Sequence, residues 1–157
     1  MKFKIATAVG LALVNGAAMF AVAVQPAQAT DAGREPATAA RCGGSLIDRK
    51  VARYQGKPIA ELVVYYNRGK NCALLNHLGV TRGKRLRTTV FLAACKETRP
   101  SRACHFHGRP ATEDGRFAYY AGPVSKAAGN RCIHAAGDIY FHGKRHLETS
   151  PAASHCR

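Results

Sequence analysis

The sequence predicts an all-β fold, a small disulfide-stabilised antiparallel sandwich or barrel, and three observations carry that reading. Short runs rich in Val, Ile, Leu, Thr and Tyr recur about every 8–12 residues, with Gly- or Pro-containing turns between them. No long amphipathic helix is written beyond residue 29. Six cysteines (Cys42, Cys72, Cys95, Cys104, Cys132 and Cys156) make the even number that reads as a disulfide framework in an exported chain.

The first 29 residues read as an export leader. Lys2 and Lys4 form a basic start, Ile5 to Val24 is mostly Ala, Val, Leu and Phe, and Ala27 and Ala29 offer small residues where a signal peptidase cuts. Gly10, Asn15 and Gly16 weaken that stretch as a membrane-spanning helix, and no later segment is apolar enough to span. Residues 30–41 are small, polar and Pro-containing, so they are expected to form a flexible tail. A single β domain is expected over 42–157, bracketed by cysteines.

Within that domain, Ile59 to Asn67 and Cys72 to Leu78 flank Arg68-Gly69-Lys70 and predict a hairpin. Arg85 to Cys95 alternates, with Leu86, Thr88, Val90, Leu92 and Ala94 on one face and Arg85, Arg87, Thr89 and Phe91 on the other. Ala103 to His107 predicts a short return strand, and Arg109 to Gly115 a turn-rich loop ending in Asp-Gly. Arg116 to Val124 reads as a strand in which Pro123 marks an edge or an end. Lys126 to Arg131 reads as a turn, and Cys132 to Ala136 and Asp138 to His142 as two extended pieces separated at Gly137.

Charge is the main functional clue. The chain carries 24 Lys and Arg against 9 Asp and Glu; removing Lys2 and Lys4 with the leader leaves 22 against 9, a formal charge of +13. Leu62 to Lys96 contains no acidic residue and includes Arg82, Lys84, Arg85 and Arg87. With Lys144 and Arg145, these form the candidate polyanion-binding set, suited to anionic cell-wall or spore-envelope polymers and to non-specific contact with nucleic acid.

Other chemistries find less support. Cys42-Gly43-Gly44-Ser45 resembles the start of a serine protease, yet the His and Ser motifs that must follow are absent. His105, His107, His134, His142 and His146 are metal-type ligands, but the cysteines are consumed in bridges and Lys144 and Arg145 repel a cation, so no metal or other cofactor is expected. A secreted ribonuclease would need a His pair and a cation, for which His105 or His107, His134 and Lys126 or Arg131 are the nominees, without a supporting motif. Glu113-Asp114 sits in an expected turn and argues weakly for paired-carboxylate hydrolysis. Tyr119 and Tyr120 with Arg116, like Tyr65 and Tyr66, read as strand packing more readily than as a ligand platform.

Several segments together resemble the spore-associated protein A family of small exported proteins from filamentous bacteria. They are Phe117 to Val124, Gly129 to Ile133, Ala136-Gly137, Tyr65 to Asn67 with Gly69 to Cys72, Cys42-Gly43 and His155-Cys156, in order across the domain. The resemblance implies an exported protein of the spore or cell surface without catalytic residues to carry over. It also implies that Cys42, Cys72, Cys132 and Cys156 belong to the family pattern, with three pairings open. Cys95 and Cys104 are then an added pair, expected to bond to each other across a hairpin. The expected function is a non-enzymatic surface protein held to anionic polymers. The alternatives are a secreted ribonuclease and a cationic antimicrobial or toxin-like effector.

Overall fold

A computed structural model describes residues 42–157; the expected signal peptide (1–29) and tail (30–41) lie outside the described residues. Eight strands follow one another: β1 (Ser45–Tyr54), β2 (Lys57–Asn67), β3 (Lys70–His77), β4 (Leu86–Ala94), β5 (Ala111–Phe117), β6 (Tyr120–Ala127), β7 (Ile133–Phe141) and β8 (Lys144–Thr149). They form two antiparallel sheets, ordered β1-β2-β3-β6 and β5-β4-β7-β8. The class is all-β and sandwich-like, as the short, turn-separated runs require.

The period-2 pattern decides which residues meet between the sheets. Leu62, Val64, Ala73 and Leu75 from the first sheet pack with Val90, Leu92, Ala94, Ile133, Ala135 and Ile139 from the second. At roughly 25 cal/mol per Å2 of apolar surface removed from water, the Val, Leu and Ile side chains among them contribute about 1.5–3 kcal/mol each. Three hairpins, β1–β2, β2–β3 and β7–β8, turn on Gln55-Gly56, Arg68-Gly69 and His142-Gly143, with positive φ at both residues of each pair. That geometry matches the right-handed twist of paired strands, and glycine adopts it without a Cβ penalty.

Four expectations about elements need correction. Residues 109–115 are not a loop: Ala111–Phe117 is β5, paired with β4. Gly115 is not a turn residue, because it lies within β5 opposite Thr88; a Cβ there would stand 2.9 Å from the Phe117 ring, which folds back over it. The expected strand from Arg116 to Val124 is two strands, with β6 crossing to the other sheet. Gly137 does not interrupt β7; a Cβ there would stand 2.9 Å from Leu75 and 3.4 Å from Leu62 of the opposite sheet. Ala103 to His107 forms only an isolated bridge, Cys95 with Phe106. Pro123 lies on β6, an edge strand, where its missing N–H breaks no ladder.

The three disulfides are Cys42–Cys72, Cys95–Cys104 and Cys132–Cys156. The first ties the start of the described chain to β3. The other two pack together: Cys95 and Cys132 are fully buried with Ala153, and the Cys95 N–H donates to the Cys132 carbonyl at 2.8 Å. The local pair is therefore seated on the Cys132–Cys156 bridge rather than standing apart from it.

Candidate polyanion-binding surface

Four segments meet at one end of the sandwich: residues 53–58, 78–87, 116–120 and 140–146. They carry nine Lys and Arg and no Asp or Glu, so the field at this end is positive. All six residues of the candidate set lie here.

The connection from β3 to β4, which bears Arg82, Lys84 and Arg85, is held by a buried polar network. His77 contacts the Thr88 hydroxyl through Nε2 at 2.8 Å and the Thr81 carbonyl through Nδ1 at 3.2 Å. A carbonyl only accepts, so the Thr81 contact places a proton on Nδ1, and Nε2 then competes with the Leu86 carbonyl, 3.1 Å away, for the Thr88 hydroxyl proton. Burial pushes the His77 pKa down, which favours the uncharged ring. The Thr81 hydroxyl reaches the Ile59 carbonyl and receives the Leu78 N–H, anchoring a single 3-10 turn, Gly79–Thr81, against β2.

Beside that turn lies an aromatic cluster. Tyr54 stacks on His142 with ring centroids 5.0 Å apart and meets Phe141 and His146 edge-on at 5.4 and 5.8 Å. The Lys84 ammonium stands 5.9 Å from the Phe141 ring centroid, within cation–π range. Lys144 is the cross-strand neighbour of Phe141. Tyr54, Gln55, Lys57, Val80, Lys84, Phe141 and His142 enclose a concavity of about 260 Å3. Val80 is 50% exposed at its rim.

Arg87 and Arg145 are placed differently. Arg87 donates to Asp114 at 3.1 Å and its guanidinium lies 5.5 Å from the Tyr140 ring centroid. The hydrogen bond from Arg87 holds the Asp114 carboxyl below its usual range. Arg145 bonds the buried Asp138 at 2.8 Å. Alternation along Arg85 to Cys95 correctly puts Arg87 on the solvent face, but part of its charge is met within the sheet. Arg82, Lys84, Arg85 and Lys144 are exposed.

The nominated histidines are distributed rather than gathered. His105 pairs with Glu97, whose carboxyl this hydrogen bond lowers in pKa. Phe106, between His105 and His107, packs on Phe91 with ring centroids 5.4 Å apart. His134 lies on the Phe91 side, 6.2 Å from that ring. Lys126 and Arg131 donate to the carbonyls of Arg109 and Lys96. His142 and His146 join the aromatic cluster. Among the described residues, the one grouping of three metal-type ligands is Cys95, Glu97 and Cys104, and its cysteines are bonded to each other. Phe117, Tyr119 and Tyr120 line a separate concavity of about 260 Å3 with Glu113, whose carboxylate accepts the Gly122 N–H across the two sheets.

Sequence reasoning missed Tyr54, Lys57, Phe141 and His77 as parts of this end. Tyr54-Gln55-Gly56-Lys57 and Phe141-His142-Gly143-Lys144 do share a legible signal, an aromatic residue before a two-residue turn and a Lys after it. No helix among the described residues is long and apolar enough to cross a membrane. No protein-family model, curated protein or solved structure matches the chain.

Proposed function

We propose that the protein is exported, non-enzymatic and held at a spore or cell surface by its basic end, which binds anionic envelope polymers. The observation that carries this reading is the meeting of Lys57, Lys84 and Lys144 beside the Tyr54–Phe141–His142 cluster, in segments that contain no carboxylate. The opposite end is basic too, but Lys126 and Arg131 are bonded to backbone carbonyls there, and Arg157 sits 4.3 Å over the Tyr66 ring. Exposed Lys84, Arg85 and Lys144 around a shallow concavity suit a flexible chain of repeated negative charge more than one small anion. The disulfides fit an oxidising exterior. Placement at a spore rather than another surface rests on the resemblance of the Tyr119-Tyr120 and Cys132 segments.

Retention on immobilised poly(glycerol phosphate), with uncharged dextran as control, tests the reading. Retention is expected at about 0.05 M NaCl and release at about 0.5 M, as the Debye length shortens. Lys84→Glu with Lys144→Glu is expected to weaken retention about tenfold, because it reverses the sign of the local field. Salt-insensitive retention, or an unaffected double variant, would sink the proposal.

A further inference from the structure

The solvent face of the sheet β5-β4-β7-β8 carries a concavity of its own. Its register sets side chains in cross-strand rows: Arg116, Arg87, Tyr140 and Arg145; then Asp114, Thr89, Asp138 and Leu147; then Thr112, Phe91, Ala136 and Thr149. The small Ala136 and the short Asp138 leave a dip between the taller walls of β4 and β8. That dip has a volume of about 200 Å3 and is lined by Thr89, Phe91, Thr112, Asp138, Arg145 and Leu147, with Ala136 and Gly137 at its floor. Three of the five exposed large hydrophobic residues among those described, Phe106 (46%), Tyr140 (39%) and Leu147 (47%), border this one face.

The polar groups of the dip show a consistent bias. Asp138 is 5% exposed; its Oδ2 accepts from Arg145, while its Oδ1 is buried with no partner. A buried carboxylate oxygen without a donor is costly and rare in folded proteins. The Thr89 hydroxyl spends its proton on Asp114 and the Thr112 hydroxyl on the Val90 carbonyl, so both face outward as acceptors. The dip thus offers three acceptor groups and one guanidinium beside an aromatic ring and a Leu side chain. Its complement is a ligand rich in hydroxyl donors with an apolar face. A cationic donor is opposed by Arg87, Arg116 and Arg145 around the rim and by the net positive charge. At this size, below the roughly 300–1,000 Å3 of drug-sized sites, the occupant is one ring of a longer chain.

We infer that this face binds an uncharged saccharide, with one pyranose ring against Phe91 and Leu147 and its hydroxyls donating to Asp138 Oδ1 and to the Thr89 and Thr112 oxygens. The inference is separable from the polyanion reading, since its ligand is uncharged and Lys84 and Lys144 do not line the dip, although Arg145 of the basic set does and Arg87 borders it. Titration of the purified exported protein with cellohexaose and with chitohexaose, followed by backbone-amide NMR in about 0.5 M NaCl, separates the two, because there the Debye length is only roughly 4 Å. Saturable shifts centred on Phe91, Ala136, Asp138 and Leu147 with at least one of the two sugars are expected. Leu147→Ser, at an exposed site that leaves the core intact, and Asp138→Asn are each expected to weaken binding at least tenfold. Lys84→Glu with Lys144→Glu is expected to leave it unchanged. Absence of saturable shifts with both sugars, shifts centred on the basic end, or unaltered affinity in Leu147→Ser would overturn the inference.

Discussion

Gly137 and His77 show how single side chains constrain this fold. A Cβ on Gly137 would stand 2.9 Å from Leu75 Cδ1 and 3.4 Å from Leu62 Cδ1, inside the layer where the sheets touch. Gly137→Ala is therefore expected to cost about 1–3 kcal/mol through overpacking, measured by urea unfolding. His77 makes a prediction about pH. Burial lowers its folded pKa below the ordinary 6.5, so the unfolded chain takes up the proton first. Its contribution is complete above about pH 6.5 and declines as pH falls below that value toward the folded pKa, by at most about 1.4 kcal/mol per pH unit. In His77→Gln this part of the slope should vanish; an unchanged slope in urea unfolding between about pH 7.5 and 5.5 would show that another group carries it.

At the level of strands and turns, the errors of sequence reading fall mostly on the edges. Sequence patterning gives β1 and β8 no strand signal and makes most of β5 a loop, and all three are edge strands. Edge strands carry polar and charged residues that blunt aggregation, so their period is faint. β1 is further disguised by register shifts between Leu46 and Asp48 and between Ala52 and Arg53. β5 turns Glu113 inward to accept the Gly122 N–H, which a hydrophobic pattern cannot anticipate. The central strands β2, β3 and β4 were legible because their apolar runs follow from local burial alone. Two consequences are measurable at this level. Gly143→Ala, at φ +71 with open space around it, is expected to cost about 1–2 kcal/mol through backbone strain only. Replacing Cys95 and Cys104 together by Ala is expected to cost about 2–3 kcal/mol from the short closed loop, and to loosen the Phe106–Phe91 contact, visible as lost NMR shift dispersion.

For the molecule as a whole, charge and framework act in opposite directions. The Lys and Arg excess repels itself in the folded state, while exposed pairs such as Arg87–Asp114 return little, about 0–1 kcal/mol each. Raising NaCl from about 0.02 to 0.2 M is therefore expected to raise Tm, since screening relieves more repulsion than it removes attraction. A fall in Tm over that range would show that the ion pairs matter more than the net field. The disulfides tolerate this repulsion because their main effect is to restrict the unfolded chain rather than to add contacts. Such a framework leaves the surface free to be strongly basic.

Six cysteines, an acid-free basic stretch and alternating apolar runs are local properties, and each could be read directly from the order of residues. They specified the class of fold, the solvent side of Arg87 and the list of cations. Convergence is not local. Lys57 opens β2, Lys84 lies between β3 and β4 and Lys144 opens β8, and the hairpin registers together with the His77–Thr81–Thr88 network bring them around Tyr54 and Phe141. The same long-range pairing places Phe91, Asp138 and Leu147 on adjacent strands β4, β7 and β8. Backbone pairing between strands distant in sequence thus turns a basic composition into a basic end, and scattered residues into a dip.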